Sequence, residues 1–325
     1  NNPPVNALSH ALRTGVQDAV SKAQDDSSLA LVLICEGRTF IAGADISEFG
    51  KAPMMPSLPE LLIDIESSKK PIIAAIHGTA LGGGLETALA CHYRCALPSA
   101  QVGLPEVKLG LLPGAGGTQR VPRLVGVKAA LDLITSGTPI AASKALSIGL
   151  IDKVIDGDLL SGALEFAKDL IAQGATLKKV SDLDFDKKGD SPEFFSELFA
   201  EWRITLSKRY RGQEAPQRIV DCIEAAVNKP FNKGLKIERE LFMECMQSSQ
   251  SAALRHLFFA ERMSSKVNGL PKDTQLKDIK RVGIIGGGTM GGGIAMNFVN
   301  VGIPVTLLEI NDEALQRGKD IIAKN

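Results

Sequence analysis

Pro71-Ile72-Ile73-Ala74-Ala75-Ile76 runs straight into His77-Gly78-Thr79-Ala80-Leu81-Gly82-Gly83-Gly84-Leu85-Glu86. The first six residues are a continuous apolar run of strand length, as expected for a strand covered on both faces. Gly82, Gly83 and Gly84 then open an Ala- and Leu-rich helix that reaches about Cys91. Consecutive glycines at such a junction let backbone amides face outward, and a helix N-terminus adds partial positive charge there. The junction can hold an anion or a developing oxyanion. Glu86 lies one short turn in. A glycine-rich packing turn beside a solvated Glu86 would read the same way from these residues alone.

Working outward from this stretch, strands and helices alternate. Leu8, Leu12, Val16 and Val20 mark an amphipathic helix with Ser9 near its start. Leu29 to Cys35 reads as another strand buried on both faces, and Leu58 to Ser67 as a short helix. Downstream come a strand at Tyr93 to Leu97, a glycine- and proline-punctuated loop from Gly103 to Gly117, and helices at Val127 to Thr135, Ala142 to Ile148 and Leu159 to Gln173. This order predicts an α/β layered core. The charged stretch Lys178 to Asp190 reads as a surface linker, Phe194 to Leu270 as helical, and Gly269 to Asp273 as a second linker.

The chain has 325 residues, enough for about two domains. Lys plus Arg and Asp plus Glu are each 37, and aromatics are 5%. That balance gives no general pull toward nucleic acid or an anionic membrane. Val282 to Leu308 carries no charge, but its apolar residues fall in two short runs around a glycine cluster. It reads as buried strand, turn, helix and strand rather than as a membrane span. Cys35, Cys91, Cys95, Cys222 and Cys245 have no paired spacing and read as reduced thiols; no histidine-cysteine cluster suggests a metal.

Two further pieces carry chemistry. Glu106, in Gly103-Leu104-Pro105-Glu106, has Leu104, Pro105, Val107 and Leu109 around it. An apolar wall would raise its pKa and suit proton transfer; a surface glutamate after a turn fits the spacing equally well. Ile41-Ala42-Gly43-Ala44-Asp45-Ile46 again offers small residues beside which backbone can approach a ligand.

Taken together and in order, Ala42 to Ile46, His77 to Glu86, Leu104-Pro105-Glu106 and Gly114-Ala115-Gly116-Gly117-Thr118-Gln119 resemble the motifs of the crotonase superfamily, and within it an enoyl-CoA hydratase with both glutamates. The resemblance is dense from Asn2 to about Val154. It implies a crotonase-like ββα spiral core. It also implies that the backbone N–H groups of Ala44 and Gly83 hold a thioester oxygen, that Glu86 activates water, and that Glu106 exchanges a proton with the α carbon. Ala42, Asp45, Ile46 and Gly82 would lie against a coenzyme A thioester. The expected reaction is hydration of 2-trans-enoyl-CoA in fatty-acid β-oxidation, needing no cofactor or metal, with 3-enoyl-CoA isomerisation as a second activity through Glu106. An isomerase-only or thioester-hydrolase crotonase, or a non-catalytic CoA-ester-binding module, are the alternatives. His77 reads as structural. Arg203, Lys208, Arg209 and Arg211, beside Trp202 and Tyr210, read as a solvated helical face rather than a contact for CoA phosphates.

A second motif follows. Arg281 to Ile285 reads as a strand, then Gly286-Gly287-Gly288-Thr289-Met290-Gly291, a helix, and a strand at Val305 to Leu308 ending at Glu309. This is the dinucleotide fingerprint in its proper context. Gly286 would make the tight turn, Gly288 admit pyrophosphate, Gly291 allow close packing, and Glu309 take the ribose hydroxyls of NAD. The segment resembles the start of the 3-hydroxyacyl-CoA dehydrogenase family. A crotonase part followed by it is similar to the bifunctional β-oxidation enzymes, which implies a peroxisomal or bacterial cytoplasmic setting.

The expected organisation is a hydratase core over residues 1–180, a helical extension and linker over 181–275, and the first βαβ of an incomplete Rossmann segment over 276–325. The chain begins Asn1-Asn2-Pro3-Pro4 and leaves sixteen residues after Glu309. It is therefore expected to be a piece of a longer protein whose remaining dehydrogenase domain is the natural partner of this segment.

Overall fold

A computed structural model of the chain describes every residue except 53, 186–191, 265, 268, 272 and 325. It divides into two compact units, Asn1–Met263 and Ser264–Asn325.

The first unit begins with α1 (His10–Asp25), capped by the Ser9 hydroxyl, which accepts the Leu12 N–H. There follow β1 (Leu31–Ile34), α2 (Leu58–Glu66), β2 (Ile72–Ile76), β3 (Thr79–Leu81), α3 (Gly83–Ala90), β4 (Tyr93–Ala96) and β5 (Gln101–Gly103). Then come α4 (Gly117–Val125), α5 (Val127–Ser136), β6 (Ile140–Ala141), α6 (Ala142–Ser147), β7 (Lys153–Val154) and α7 (Leu159–Ala172). Four helices close the unit: α8 (Pro192–Arg209), α9 (Ala215–Asn228), α10 (Phe231–Gln247) and α11 (Ser249–Ser264).

Among the described residues the strands form a parallel sheet in the order β1-β2-β4-β7 and a smaller one in the order β3-β5-β6. The chain leaves the first sheet for the second at His77-Gly78 and again at Leu97 to Ala100, so strand-strand-helix turns repeat. Gly78 is required at the first corner. Its φ is +59°, and a Cβ there would lie 2.2 Å from the Arg38 carbonyl oxygen.

The apolar run at β2 now has its explanation. Ile72, Ala74 and Ile76 join the main core, while Ile73 and Ala75 join a second cluster with Cys95, Ile155, Leu159 and Ala163. Both faces are covered, with alternate residues serving each.

Two readings of the sequence are corrected. The strand predicted as buried over Leu29 to Cys35 is only partly so: Leu31 and Leu33 pack against one cluster and Val32 against the other, yet Leu29 is 69% exposed and Ile34 36%. β1 is an edge strand, so its apolar run is only half-sheltered. The predicted linker over 178–190 is, in its described part, packed. Val180 is buried, the Ser181 N–H donates to Glu66 Oε1 at 3.0 Å, and Phe185 lies 4.8 Å from the Arg123 guanidinium carbon. Residues 186–191 of that stretch lie outside the described residues.

The second unit contains β8 (Val282–Ile285), α12 (Thr289–Asn300), β9 (Val305–Leu308) and α13 (Asp312–Lys324). β8 and β9 pair in parallel, Val282 opposite Val305. These strands are not fully buried as predicted: Ile284 is inside, Ile285 is 87% exposed. α12 packs on both strands, leaving alternate side chains open. Among the described residues no helix is long and apolar enough to cross a membrane.

Candidate active site

The segment 41–44 is drawn against β3 by a bridge from Ile41 to Ala80 and by the Leu81 N–H donating to the Ile41 carbonyl at 3.1 Å. On its other side the Leu8 N–H donates to the Gly43 carbonyl at 2.9 Å, and the Ala42 N–H to Val5 at 3.2 Å. α3 can begin close by because Gly84 has no side chain: a Cβ there would sit 2.2 Å from the Ile41 carbonyl oxygen. Gly82, at φ +53°, turns the chain into the helix. Gly83 is the first helical residue, so its N–H has no intrahelical acceptor. A Cβ on Gly83 would lie 3.4 Å from the Ala44 nitrogen. The two amides expected to act together are thus neighbours. Among the described residues neither donates to a backbone or side-chain acceptor.

Glu86 is buried on α3. Its Oε1 accepts the N–H groups of Ala115 and Gly117, both at 2.8 Å. Burial raises its carboxyl above the ordinary range, opposed by these two amides and by the Arg120 charge. Glu106 stands in a 3-10 turn, Pro105–Leu109, that follows β5. Its Oε1 is 3.0 Å from where a Gly82 Cβ would be, so the glycine makes room for this carboxyl. Its Oε2 is enclosed with no hydrogen-bond partner. Although Glu106 as a residue is only half-buried, its carboxyl sits well above the usual carboxylate range. The largest cause is desolvation; the next is the charge of Glu86. The acids feel one another, and their surroundings differ: Glu86 meets two N–H donors, while among the described residues Glu106 Oε2 meets none.

A further buried acid beside Glu86 was missed in the sequence. Glu238, on α10, accepts the Gly116 N–H at 2.6 Å, the Thr118 N–H at 2.9 Å and the Thr118 hydroxyl at 2.5 Å. Burial, then the Glu86 charge, push it up to about 8. The available signal was the stripe Phe231, Leu235, Glu238, Leu241 and Cys245: a helical apolar face with one acid set in it. Arg120, also buried, donates to the Ala115 carbonyl at 3.1 Å and pairs with Glu66 at 2.7 Å.

The remaining expected residues fall as follows. Ala42, Asp45 and Ile46 are half-buried beside the Ala44 amide; the Asp45 carboxylate caps a 3-10 turn by accepting the Ser47 N–H at 2.9 Å. His77 Nε2 lies 3.1 Å from the Gly37 carbonyl oxygen. Arg203 pairs with Asp221 and Glu224, which turns it toward α9. All five cysteines are free thiols. Among the described residues no three His, Cys, Asp or Glu side chains group as metal ligands would.

In the second unit Gly286 has φ +91°, and its N–H donates to Leu308 at 2.8 Å. Gly288 caps α12 with open space where a Cβ would be. A Cβ on Gly291 would lie 1.8 Å from the Gly286 carbonyl oxygen, so helix and turn are in contact. Glu309 Oε1 accepts the Gly287 N–H at 2.5 Å, which sets the acid against the glycine turn.

Comparison with known proteins agrees with this division. The family model described as enoyl-CoA hydratase/isomerase matches residues 1–194, and that of the 3-hydroxyacyl-CoA dehydrogenase NAD binding domain matches residues 281–325. Among curated proteins, the peroxisomal bifunctional enzyme of Danio rerio is 40% identical over 327 residues, covering 99% of this chain and 45% of its own. The glyoxysomal fatty acid beta-oxidation multifunctional protein MFP-a of Cucumis sativus is 37% identical over 338 residues, covering 100% and 46%. The chain thus spans less than half the length of these relatives. A solved enoyl-CoA hydratase/isomerase from Pseudoalteromonas atlantica matches with a TM-score of 0.58 at 27% identity, covering 80% of this chain and 91% of that one.

Proposed function

The chain belongs to the enoyl-CoA hydratase/isomerase family, and from that premise we propose that its first unit adds water to 2-trans-enoyl-CoA thioesters, giving 3-hydroxyacyl-CoA. The reading is supported by Glu106, whose carboxyl fills the space left by Gly82 and is raised in part by the charge of Glu86, and by the neighbouring amides of Ala44 and Gly83, which among the described residues have no acceptor.

The thioester oxygen would accept both amides. Negative charge grows on that oxygen as water adds to the β carbon, and each preorganised donor is worth about 3–4 kcal/mol there. Glu86, whose Oε1 accepts two N–H groups that favour its charged form against the raising effect of burial, takes a proton from the attacking water. Glu106, whose carboxyl is held above the ordinary range, is the acid that delivers a proton to the α carbon. The cycle closes when the proton gained by Glu86 is returned to Glu106 or to solvent. Ala42, Asp45, Ile46 and Gly82 would line the thioester's path to the amide pair.

A second activity, moving a double bond between carbons of a 3-enoyl-CoA, is favoured by one observation: Glu106 Oε2 is enclosed and unpartnered, free to carry one proton back and forth. The match of residues 281–325 to a 3-hydroxyacyl-CoA dehydrogenase NAD binding domain supports passage of the product to an NAD-dependent dehydrogenase in a longer protein. The glycine turn of the second unit suits a dinucleotide, with Gly286, Gly288 and Gly291 shaping the pyrophosphate cradle and Glu309 available to the ribose. When bound there, NAD would supply hydride acceptance; no step of hydration passes through it. Of the peroxisomal and bacterial cytoplasmic settings, the peroxisomal and glyoxysomal names of the chain's relatives support the first.

The test is loss of the conjugated enoyl-thioester absorbance of crotonyl-CoA, with Glu86→Gln and Glu106→Gln in parallel. Both variants should lose hydration, and Glu106→Gln should also lose isomerisation. Wild-type turnover in either variant removes the hydratase reading. Binding without turnover in the unaltered protein points to a CoA-ester-binding module.

A further inference from the structure

The junction where the chain enters α4 has two faces, and a different acid grips each. Ala115 and Gly117 point their N–H groups at Glu86. Gly116 and Thr118, the alternate residues, point theirs at Glu238. Four successive amides, two of the loop and two of the first turn of α4, are therefore shared between two carboxyl groups from helices far apart in the chain. Gln119 Nε2 also donates to the Thr118 hydroxyl at 3.0 Å, and Arg120 tethers the Ala115 carbonyl, but among the described residues only Glu238 accepts the N–H groups of the second face.

Glu238 reaches the loop because α10 comes unusually close. One turn earlier on the same face stands Gly234, where a Cβ would lie 1.9 Å from the Gln119 side-chain oxygen. The other deeply buried residues of α10 are Gly234 and Cys245, so a carboxyl at 238 costs desolvation that an apolar residue would avoid. Its return is three donors satisfied at once, all from Gly116 and Thr118.

We propose that Glu238 is a positioning residue for the hydration step: by fixing the alternate amides of residues 116 and 118, it holds those of 115 and 117 where they set the carboxylate of Glu86 against the attacking water. This rests on the hydratase reading above. Glu238 itself touches no reacting atom.

The test uses the full chain and Glu238→Ala and Glu238→Gln, measuring kcat for crotonyl-CoA hydration and, separately, affinity for a saturated acyl-CoA that cannot react. The binding amides of Ala44 and Gly83 are left alone, so affinity should stay within about twofold. A misplacement of about 1 Å costs about a hundredfold in rate, so kcat of Glu238→Ala should fall roughly 10- to 100-fold. Glu238→Gln should fall less, since its amide oxygen still accepts one N–H while its NH2 faces the other. A folded Glu238→Ala enzyme with kcat within about twofold of wild type overturns the proposal, as does a parallel fall of kcat and affinity.

If Glu238→Ala does not fold, Thr118→Val, which deletes the hydroxyl donor, should lower kcat by about threefold at unchanged affinity. Thr118→Ser should restore it; equal kcat in all three overturns the proposal. Glu86→Gln separates the two ideas. If it is inactive while the Glu238 and Thr118 variants are not, positioning alone fails; if it is fully active, the hydratase reading fails.

Discussion

Gly117→Ala places a methyl group against the proposed base without touching the proposed oxyanion pair. Its Cβ would stand 2.9 Å from Glu86 Oε1, 2.7 Å from the Pro113 Cβ and 3.2 Å from the Leu104 Cδ1. Real contacts to a Cβ need several tenths of an ångström more than the first two, so Oε1 must move. It cannot move freely, because two N–H groups hold it at 2.8 Å. A hydrogen bond to a charged group is worth about 1.5–3 kcal/mol. Losing the equivalent of one lowers kcat about 10- to 100-fold at 1.36 kcal/mol per decade. Stability should change much less. Overpacking costs about 1–3 kcal/mol, while alanine in a helix regains up to about 1 kcal/mol over glycine, leaving about 0–2. The assay follows crotonyl-CoA absorbance for kcat, calorimetric binding of a saturated acyl-CoA, and thermal melting on the same preparation. The expected pattern is a large kcat loss, unchanged affinity and a small Tm shift. A kcat within about twofold of wild type would refute the claim that Glu86 must sit where those two amides put it.

Three further outcomes follow from separate features. Arg120→Ala leaves the buried Glu66 without its 2.7 Å partner and frees the Ala115 carbonyl; unfolding free energy should drop by about 3–5 kcal/mol in denaturant titration, the range for breaking a buried pair from one side. Glu238 has its carboxyl raised to about 8 from an ordinary 4.5, so the folded state holds a proton that the unfolded state releases. Its contribution is full below about 4.5 and is lost as pH rises toward about 8; wild type should lose stability relative to Glu238→Gln across that window, by at most about 1.4 kcal/mol per pH unit. A flat difference between the two would contradict the raised carboxyl. Gly291→Ala drives a Cβ to 1.8 Å from the Gly286 carbonyl oxygen; hydrogen exchange over residues 282–309 should quicken sharply while crotonyl-CoA turnover stays at the wild-type rate.

What could be read in the sequence was local. The run at Ile72 to Ile76 declares a strand because apolar residues at every position need cover on two sides, and both clusters are there. Gly82, Gly83 and Gly84 declare a close approach of backbone because each would collide or strain with a side chain, and the objects they avoid are Glu106, Leu58 and Ile41. The same rule overstated the burial at β1, which meets both clusters but forms the sheet's edge and is only half-sheltered; nothing within seven residues says which strand has a neighbour on only one side. It misled again over 178–190, where charge suggested solvent but Ser181 is bonded to Glu66 across 115 positions of chain. Glu238 is the sharpest case. Its partner Gly116 is 122 positions away, and its own neighbourhood offers only an acid in an apolar stripe. Such an acid costs stability unless donors meet it. The sequence shows the donors, an unusually bare Gly-Ala-Gly-Gly-Thr loop, and shows the acceptor, but only packing α10 through the gap at Gly234 brings them together. The short motifs that make up the proposed site are therefore legible residue by residue, whereas the proposed support behind Glu86 is a property of the tertiary fold.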